Sequence, residues 1–285
     1  MFSLIYKNDR NQSIDLTNSL LFHLLPPEGL DPPEAEIITT TSPYMPGSKY
    51  RRSQIASRLI TLHFSFKGDA EKGRLQLYKH FRSGKGGTLY YSSERQVLIG
   101  CYVRDITIDR GALPVTGSIL LECPEPYFKA LDYLIEDLGY ILGNFEFTLE
   151  LPEEGIEFGT IDYNATKTII NTGDVDLGLT IELIANGAVV NPKIFNYDTN
   201  EAFILNLTMA KGDYIIITTS VGEKAVTLYT YVNGKLTENN IINYVDPSSK
   251  WLKLLVGDNV FSTGADSGSE YLQANIKHRL EYEGV

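Results

Sequence analysis

Residues 75–106 read LQLYKHFRSGKGGTLYYSSERQVLIGCYVRDI, and they divide into a cationic helix, a glycine turn and two strands. Leu75 with Tyr78 and Leu77 with Phe81 stand three and four residues apart, which gives the helix one apolar face to pack inward. Asp69 is the expected N-cap, Glu71 falls in the first turn, and Gly84 stands where a left-handed residue ends a helix. Downstream, residues 88–91 and 97–108 carry the β-branched and aromatic side chains of strands. The stretch offers donors and ring faces but no assembled set of reactive groups. It is built to dock rather than to catalyse.

Working outward, residues 55–66 alternate strictly. Leu59, Thr61, His63 and Ser65 fall on one face and Ile60, Leu62, Phe64 and Phe66 on the other. Before them lies PPEGLDPPEAEI at 26–37, whose four prolines and glycine exclude both helix and regular ladder. Residues 37–41 read as a strand and 42–53 as its exposed connection. With further strands near 3–6, 20–25 and 118–122, the first half is one helix against a mainly antiparallel sheet. The spacing Phe128, Leu131, Ile135, Leu138, Leu142 predicts a short helix at the junction. Beyond it, segments such as GLTIELI, YIIITTS and AVTLYTYV are rich in Val, Ile, Thr and Tyr. Turn signals at Asn186-Gly187, Lys211-Gly212-Asp213, Asn233-Gly234 and Gly257-Asp258-Asn259 separate them. Short strands joined by such turns predict a jelly-roll β-sandwich.

A chain of 285 residues buries a sizeable core and is expected to split into two domains. The net charge of -11 is unevenly spread. Residues 1–130 carry 16 Lys and Arg against 13 Asp and Glu, a balance of +3; residues 131–285 carry 9 against 23, a balance of -14. So acidic a second half repels phosphate backbones, which argues against nucleic-acid readout. Cys101 and Cys123 lie in apolar, strand-like runs and are expected as buried free thiols. The start of the chain lacks a basic region followed by an apolar core, and no apolar run approaches the roughly 20 residues of a membrane span. Synthesis in the cytoplasm of the producing cell without membrane insertion is the expectation.

Motifs that carry chemistry are incomplete here. SGKGGT at 83–88 lacks the earlier glycine and the final Ser or Thr of a phosphate loop, so it is a turn. His23, His63, His80 and His278 are too scattered for paired-ligand spacing. Asp174-Val175-Asp176-Leu177-Gly178 opens like a calcium loop but lacks the third acid and the distant glutamate. No metal and no cofactor are expected. Glu150, Glu153, Glu154 and Glu157 cluster, and a wall-degrading enzyme would use Glu153 or Glu154 as its acid; solvated turn charge is the stronger reading. Trp251, the sole tryptophan, would serve a lectin-like module as a sugar platform, against the plainer role of core packing. Tyr78, Tyr90, Tyr91 and Tyr102 lie close in sequence to Arg74, Arg82, Arg95 and Arg104, a pairing common at contact surfaces.

The same stretches carry a resemblance. Residues 75–106, EGLDPPEAEI at 28–37, LLECPEPYF at 120–128, EEGIEFG at 153–159, NTGDVDLG at 171–178, AVVNPKI at 188–194, KGDYIII at 211–217 and LKLLVGDN at 252–259 together resemble the distal tail proteins of long-tailed, non-contractile bacteriophages. The resemblance implies a mainly β, two-domain chain. Residues 1–135 would be an antiparallel sheet or split-barrel domain with one helix, forming a homo-hexameric ring, and residues 145–285 a galectin-like sandwich. It also implies a structural, non-enzymatic role at the virion tail tip, with the tail tube protein above, a tail-associated tip protein below and, in some relatives, receptor-binding protein beside it. Pro32, Pro33, Tyr50, Arg51, Arg52, Arg82 and Lys85, stiff or exposed or charged, are the residues expected to contact a neighbouring copy or a tail partner. Glycan recognition through Trp251 is the alternative.

Overall fold

The computed structural model describes residues 2–44, 46–111, 113–138, 140–143, 159–162, 166–232 and 234–285. They form two compact units, one of Met1–Leu131 with Glu281–Val285 and one of Asp132–Leu280. Both are mainly β and antiparallel.

In the first unit the elements are β1 (Ser3–Asn8), β2 (Ser13–Asp15), β3 (Phe22–Leu24), β4 (Ala35–Thr41), β5 (Ser48–Ile55), β6 (Arg58–Phe66), α1 (Ala70–His80), β7 (Gly86–Ser92), β8 (Gln96–Asp109), β9 (Thr116–Cys123) and β10 (Phe128–Ala130). The main sheet runs β2-β1-β7-β8-β9-β6-β3. Its β8 is long enough to pair with β9 along one stretch and with β10 near Val97 and Leu98. The last strand of the chain, Glu281–Tyr282, adds to β10. β4 and β5 pair only with each other.

The alternation of β6 holds. Ile60, Leu62 and Phe64 are fully buried and Phe66 nearly so. Burying each such side chain contributes about 1.5–3 kcal/mol, so this one face anchors the sheet. The helix starts as its sequence predicts, with Asp69 Oδ1 accepting the Lys72 amide at 3.2 Å. Its buried face is Gly73 and Leu77, continued by Phe81, while Leu75 stays exposed. Gly73 allows this close approach: a Cβ there would sit 2.6 Å from the Phe66 ring. Phe81 stacks on Tyr6 at 4.1 Å. Gly84 has φ +75 and turns the chain into β7.

Two expected elements are corrected. Residues 48–55 form a strand, not a loose connection, because Thr39–Thr41 and Ala35–Ile38 supply a partner along almost its whole length. The stretch 128–142 is not a helix: β10, Leu134–Asp137 and Tyr140–Gly143 are all strands. Its apolar spacing does not mark one face, since Leu131 and Ile135 are exposed while Phe128 joins the first unit's core and Leu138 the second's. Helical period and two unrelated burial sites are indistinguishable in a short apolar run.

The second unit is a sandwich of two sheets. One has six strands in the order Leu134–Asp137, Leu272–His278, Thr180–Ala185, Tyr214–Thr218, Ala225–Val232, Lys235–Asn240; the other has four, Thr166–Asn171, Gly257–Gly264, Lys193–Asn196, Glu201–Ile204. Ile181, Leu183 and Ile217 from the first share one core with Ile169, Phe203 and Phe261 from the second. Buried asparagines tie the loops. Asn171 Nδ2 donates to the Val175 carbonyl at 2.9 Å, and Asn259 Nδ2 to the Leu255 carbonyl at 2.8 Å. The turn at Gly212-Asp213 is closed by Asp213 Oδ2, which accepts the Ala210 amide at 2.8 Å.

His278 ends an inward row of Leu272, Ala274 and Ile276, 2 % exposed, and neither ring nitrogen has a hydrogen-bond partner. Burial holds its imidazole below the ordinary value, with the Glu136 carboxylate pulling weakly the other way. The folded state therefore binds fewer protons than the unfolded one once pH falls below about 6.5, and stability is lost in that direction. Urea midpoints taken at steps from neutral to mildly acid pH should fall more steeply for the native chain than for His278→Leu. Parallel pH profiles for the two would show that His278 is not the group responsible.

Candidate interaction site

The hairpin β4–β5 is the part of the first unit that lacks a core of its own. Most of its residues are exposed, with Ile37 at 64 % and Tyr50 at 59 %, and Tyr44 beside its turn at 95 %. The register shifts between Ile38, opposite Arg52, and Thr39, opposite Tyr50, so Arg51 is the extra residue of a bulge. Arg51 Nε donates to Thr40 Oγ1 at 2.8 Å, and the Tyr50 hydroxyl lies 3.1 Å from Ser53 Oγ. Three cations, Lys49, Arg51 and Arg52, lie on one strand of eight residues. The turn side of the hairpin borders a cavity of about 570 Å³, lined among others by Thr40, Pro46, Lys49 and Arg51.

At the base of the hairpin the proline segment is fixed to β6. Glu28 and Thr61 exchange backbone hydrogen bonds of 3.0 and 3.1 Å, and the Leu25 amide donates to the His63 carbonyl at 2.8 Å. Pro32 and Pro33 line a cavity of about 330 Å³ together with Asp31, Glu34, Ser57 and Arg58.

Arg58 is the residue that the sequence reading passed over. It opens β6 on the inward parity of Ile60 and Leu62, and only 3 % of it is exposed. Its guanidinium donates to four backbone carbonyls: Nε to Pro126 at 2.6 Å, Nη1 to Gly29 at 2.7 Å and Asp31 at 2.5 Å, and Nη2 to Glu283. It also lies 4.6 Å from the centre of the buried Phe128 ring. Burial lowers its proton affinity, against which Cys123, Asp31 and Glu283 pull. Gly29 reaches this position at φ +84, and a Cβ there would stand 2.0 Å from the Leu59 carbonyl oxygen. Sequence offers one signal for Arg58, its parity with the buried face; its partners are carbonyls and leave no trace.

The other expected contact residues lie apart from the hairpin in the fold. Arg82 pairs with Asp9 at 3.1 Å. Lys85 is held by its backbone, its amide donating to the Arg82 carbonyl and its carbonyl accepting from Val103, both at 3.0 Å. Of the arginine and tyrosine set, Arg74 and Tyr78 lie against each other, at 5.0 Å. Arg95 instead covers the Tyr282 ring at 4.4 Å, and Arg104 pairs with Glu122 at 3.5 Å.

In the second unit the Trp251 ring is half-buried. It packs 5.2 Å from Phe203, with Lys224 Nζ 5.2 Å from its centroid. Asp176 Oδ1 accepts the Val256 amide at 3.1 Å, tying its loop to a segment 80 residues further along the chain. Among the described residues no group of three or more His, Cys, Asp or Glu is placed to hold a metal, and no helix is long and apolar enough to cross a membrane. Glu150, Glu153, Glu154 and Glu157 lie outside the described residues.

A family model described as the siphovirus-type tail component, C-terminal domain, matches residues 172–282, and one described as the phage tail protein RIFT-related domain matches residues 11–123. No curated protein matches the chain. Its fold is similar to the crystal structure of the Dit protein of phage SPP1, described as a paradigm of the hub adsorption apparatus in phages that infect Gram-positive bacteria. The TM-score is 0.69 at 12 % identity, covering 99 % of each chain. A chain of the phage P2 baseplate in its activated, calcium-bound conformation matches at TM-score 0.47 and 14 % identity over 100 % of both chains, too distant to add to the fold assignment.

Removing the Arg58 guanidinium leaves four carbonyls without their donor. Arg58→Met should lower the stability of the first unit by about 3–5 kcal/mol, read from denaturant midpoints. Gly29→Ala should cost more than about 1 kcal/mol through its backbone conformation alone. Native-like stability of Arg58→Met would show that the four contacts are incidental.

Proposed function

The chain belongs to the siphovirus-type distal tail protein family, and we propose that its first unit closes into a six-membered ring forming the hub between tail tube and tail tip. As a family member the chain is a structural component of the phage tail. The finer reading is that copies associate side by side around an opening, with the tail tube protein on one side and a tail-associated tip protein on the other. Receptor-binding protein is then a further partner. Its place is the tip of the virion tail, reached after synthesis in the host cytoplasm, and its work requires no reactive centre.

The observation that carries this reading is the hairpin β4–β5. A two-stranded hairpin is marginal by itself in water, yet this one pairs along seven residues of β4, across one bulge, with Ile37, Tyr44 and Tyr50 facing solvent. A closed ring needs two different patches on each copy, one fitting the other. The hairpin with Tyr50, Arg51 and Arg52, and its base with Pro32 and Pro33, supply one patch. Arg82 and Lys85, elsewhere on the same unit, are candidates for the other. The hub adsorption apparatus described for SPP1 Dit supports a hub role by likeness of fold. The packing of Trp251 against Phe203 and Lys224 gives the glycan reading no comparable support.

Negative-stain imaging and light scattering at tens of micromolar should show six-fold rings. Tyr50→Ala combined with Arg51→Ala and Arg52→Ala should return monomers while leaving the thermal midpoint nearly unchanged, since these side chains contribute little to the core. A native chain that stays monomeric, alone and with tail tube and tip proteins added, would overturn the ring.

A further inference from the structure

We infer that Cys101 and Cys123 form a single site of oxidative modification, closing to an intramolecular disulfide when the protein meets a hydroperoxide. The inference stands independently of the ring. The two residues lie on neighbouring strands: Tyr102 is opposite Glu122 and Val103 opposite Leu121, so one step back along β8 and forward along β9 sets Cys101 opposite Cys123. Their other neighbours are Gly87 on β7 and Arg58 on β6. All four thus share one row across the sheet, and both thiols face the core, 1 % and 0 % exposed. They are free and hydrogen-bonded to each other. Directly opposed antiparallel residues have Cα atoms about 4.5–5.5 Å apart, inside the roughly 4.4–6.8 Å that a disulfide spans. The bond therefore needs no change of register.

Burial usually keeps a thiol slow to react, but once one sulfur of this row is oxidised the other already stands opposite it. Opposite Cys123 on β6 stands Arg58, whose guanidinium is a fixed buried cation electrostatically coupled to it. Ionisation of Cys101 is opposed first by the hydrogen bond with Cys123 and then by burial. Cys123, paired across the strands with the guanidinium residue, is accordingly the nucleophile and Cys101 the resolving thiol.

In the first step the Cys123 sulfur, having lost its proton, attacks one peroxide oxygen. The O–O bond breaks, hydroxide leaves and takes up a proton to become water, and Cys123 becomes a sulfenic acid. In the second step the Cys101 sulfur attacks the Cys123 sulfur, the S–O bond breaks, and the hydroxyl leaves as water with the Cys101 proton. Two thiols are oxidised to one disulfide and one peroxide is reduced to two waters. The product staples β8 to β9 at the centre of the first unit's sheet and constrains the unfolded chain between residues 101 and 123.

The test uses the whole chain, exposed to hydrogen peroxide at a dose that fully oxidises free cysteine, then unfolded for thiol counting. The expected result is loss of both thiols, recovery of both with dithiothreitol, and a non-reducing digest linking the peptides that contain residues 101 and 123. The thermal midpoint of the oxidised form should rise by several degrees over the reduced form. Persistence of both thiols under the same dose overturns the inference. So does a thiol loss that dithiothreitol cannot reverse, or a bridge between two chains.

Discussion

A guanidinium with only 3 % of its residue exposed is an expensive thing to place in a protein interior unless every donor is satisfied in a fixed geometry. Arg58 is satisfied by the main chain. Gly29 and Asp31 come from the proline segment, Pro126 from the turn before β10, and Glu283 from the last residues of the chain. Three stretches far apart in sequence are therefore held at one point by a side chain whose planar fork cannot be imitated by an ammonium. The surrounding elements are fitted to that point. Gly29 adopts its left-handed turn with no space for a Cβ, Gly284 lies against Pro32, and the Val285 amide donates to the Leu30 carbonyl at 3.2 Å. Arg95 reinforces the returning segment, stacking on Tyr282 and donating to the Gly284 carbonyl at 2.9 Å.

Much of this frame is readable from the residues. Strict alternation at 59–66 gives β6 and its buried face, because a half-buried strand must alternate. The helix cap at Asp69 is legible for a similar reason: a carboxylate next to free amides is a local interaction encoded within four residues. What escaped was non-local. The parity of Arg58 points inward, but a charge on a buried face has no meaning in sequence until its partners are known, and backbone carbonyls are identical everywhere. The return of Glu281–Tyr282 to the first unit depends on β10, three residues long, which offers no distinctive pattern. The expected helix at 128–142 failed because its apolar residues serve two different cores. Tyr90, Tyr91 and Tyr102 were read as neighbours of arginines from sequence distance alone, whereas Arg95 and Arg104 find Tyr282 and Glu122.

Between the contact residues the division is equally physical. Pro32 and Pro33 stand at the hairpin base and Tyr50, Arg51 and Arg52 farther along β5, because β4 and β5 leave and rejoin the frame at adjacent points: the Ala56 amide reaches the Glu34 carbonyl at 3.4 Å. Arg82 and Lys85 are placed by the end of α1 and the glycine turn. A chain reading can rank such residues by stiffness, charge and exposure. It cannot say which of them share a surface, since that follows from the order β2-β1-β7-β8-β9-β6-β3, set by long-range pairing.

The placement of Arg58 beside the hairpin gives the frame a mechanical meaning. β5 ends at Ile55 and β6 begins at Arg58, so two residues separate a strand without a core from a side chain tied to four carbonyls. On its other side the hairpin begins at Ala35, three residues after Pro32, next to Asp31, whose carbonyl the same guanidinium holds. A force applied to the hairpin is thus delivered through both strands to one clamp and from there into β6, a strand with a fully buried apolar face. Apolar packing is non-directional and allows sliding, but a fork bonded to carbonyls from three segments resists shear because each bond has its own direction. That difference accounts for a buried cation where a leucine would satisfy the alternation: an aliphatic residue fills the space, and only a multivalent donor fixes the root of the hairpin in direction.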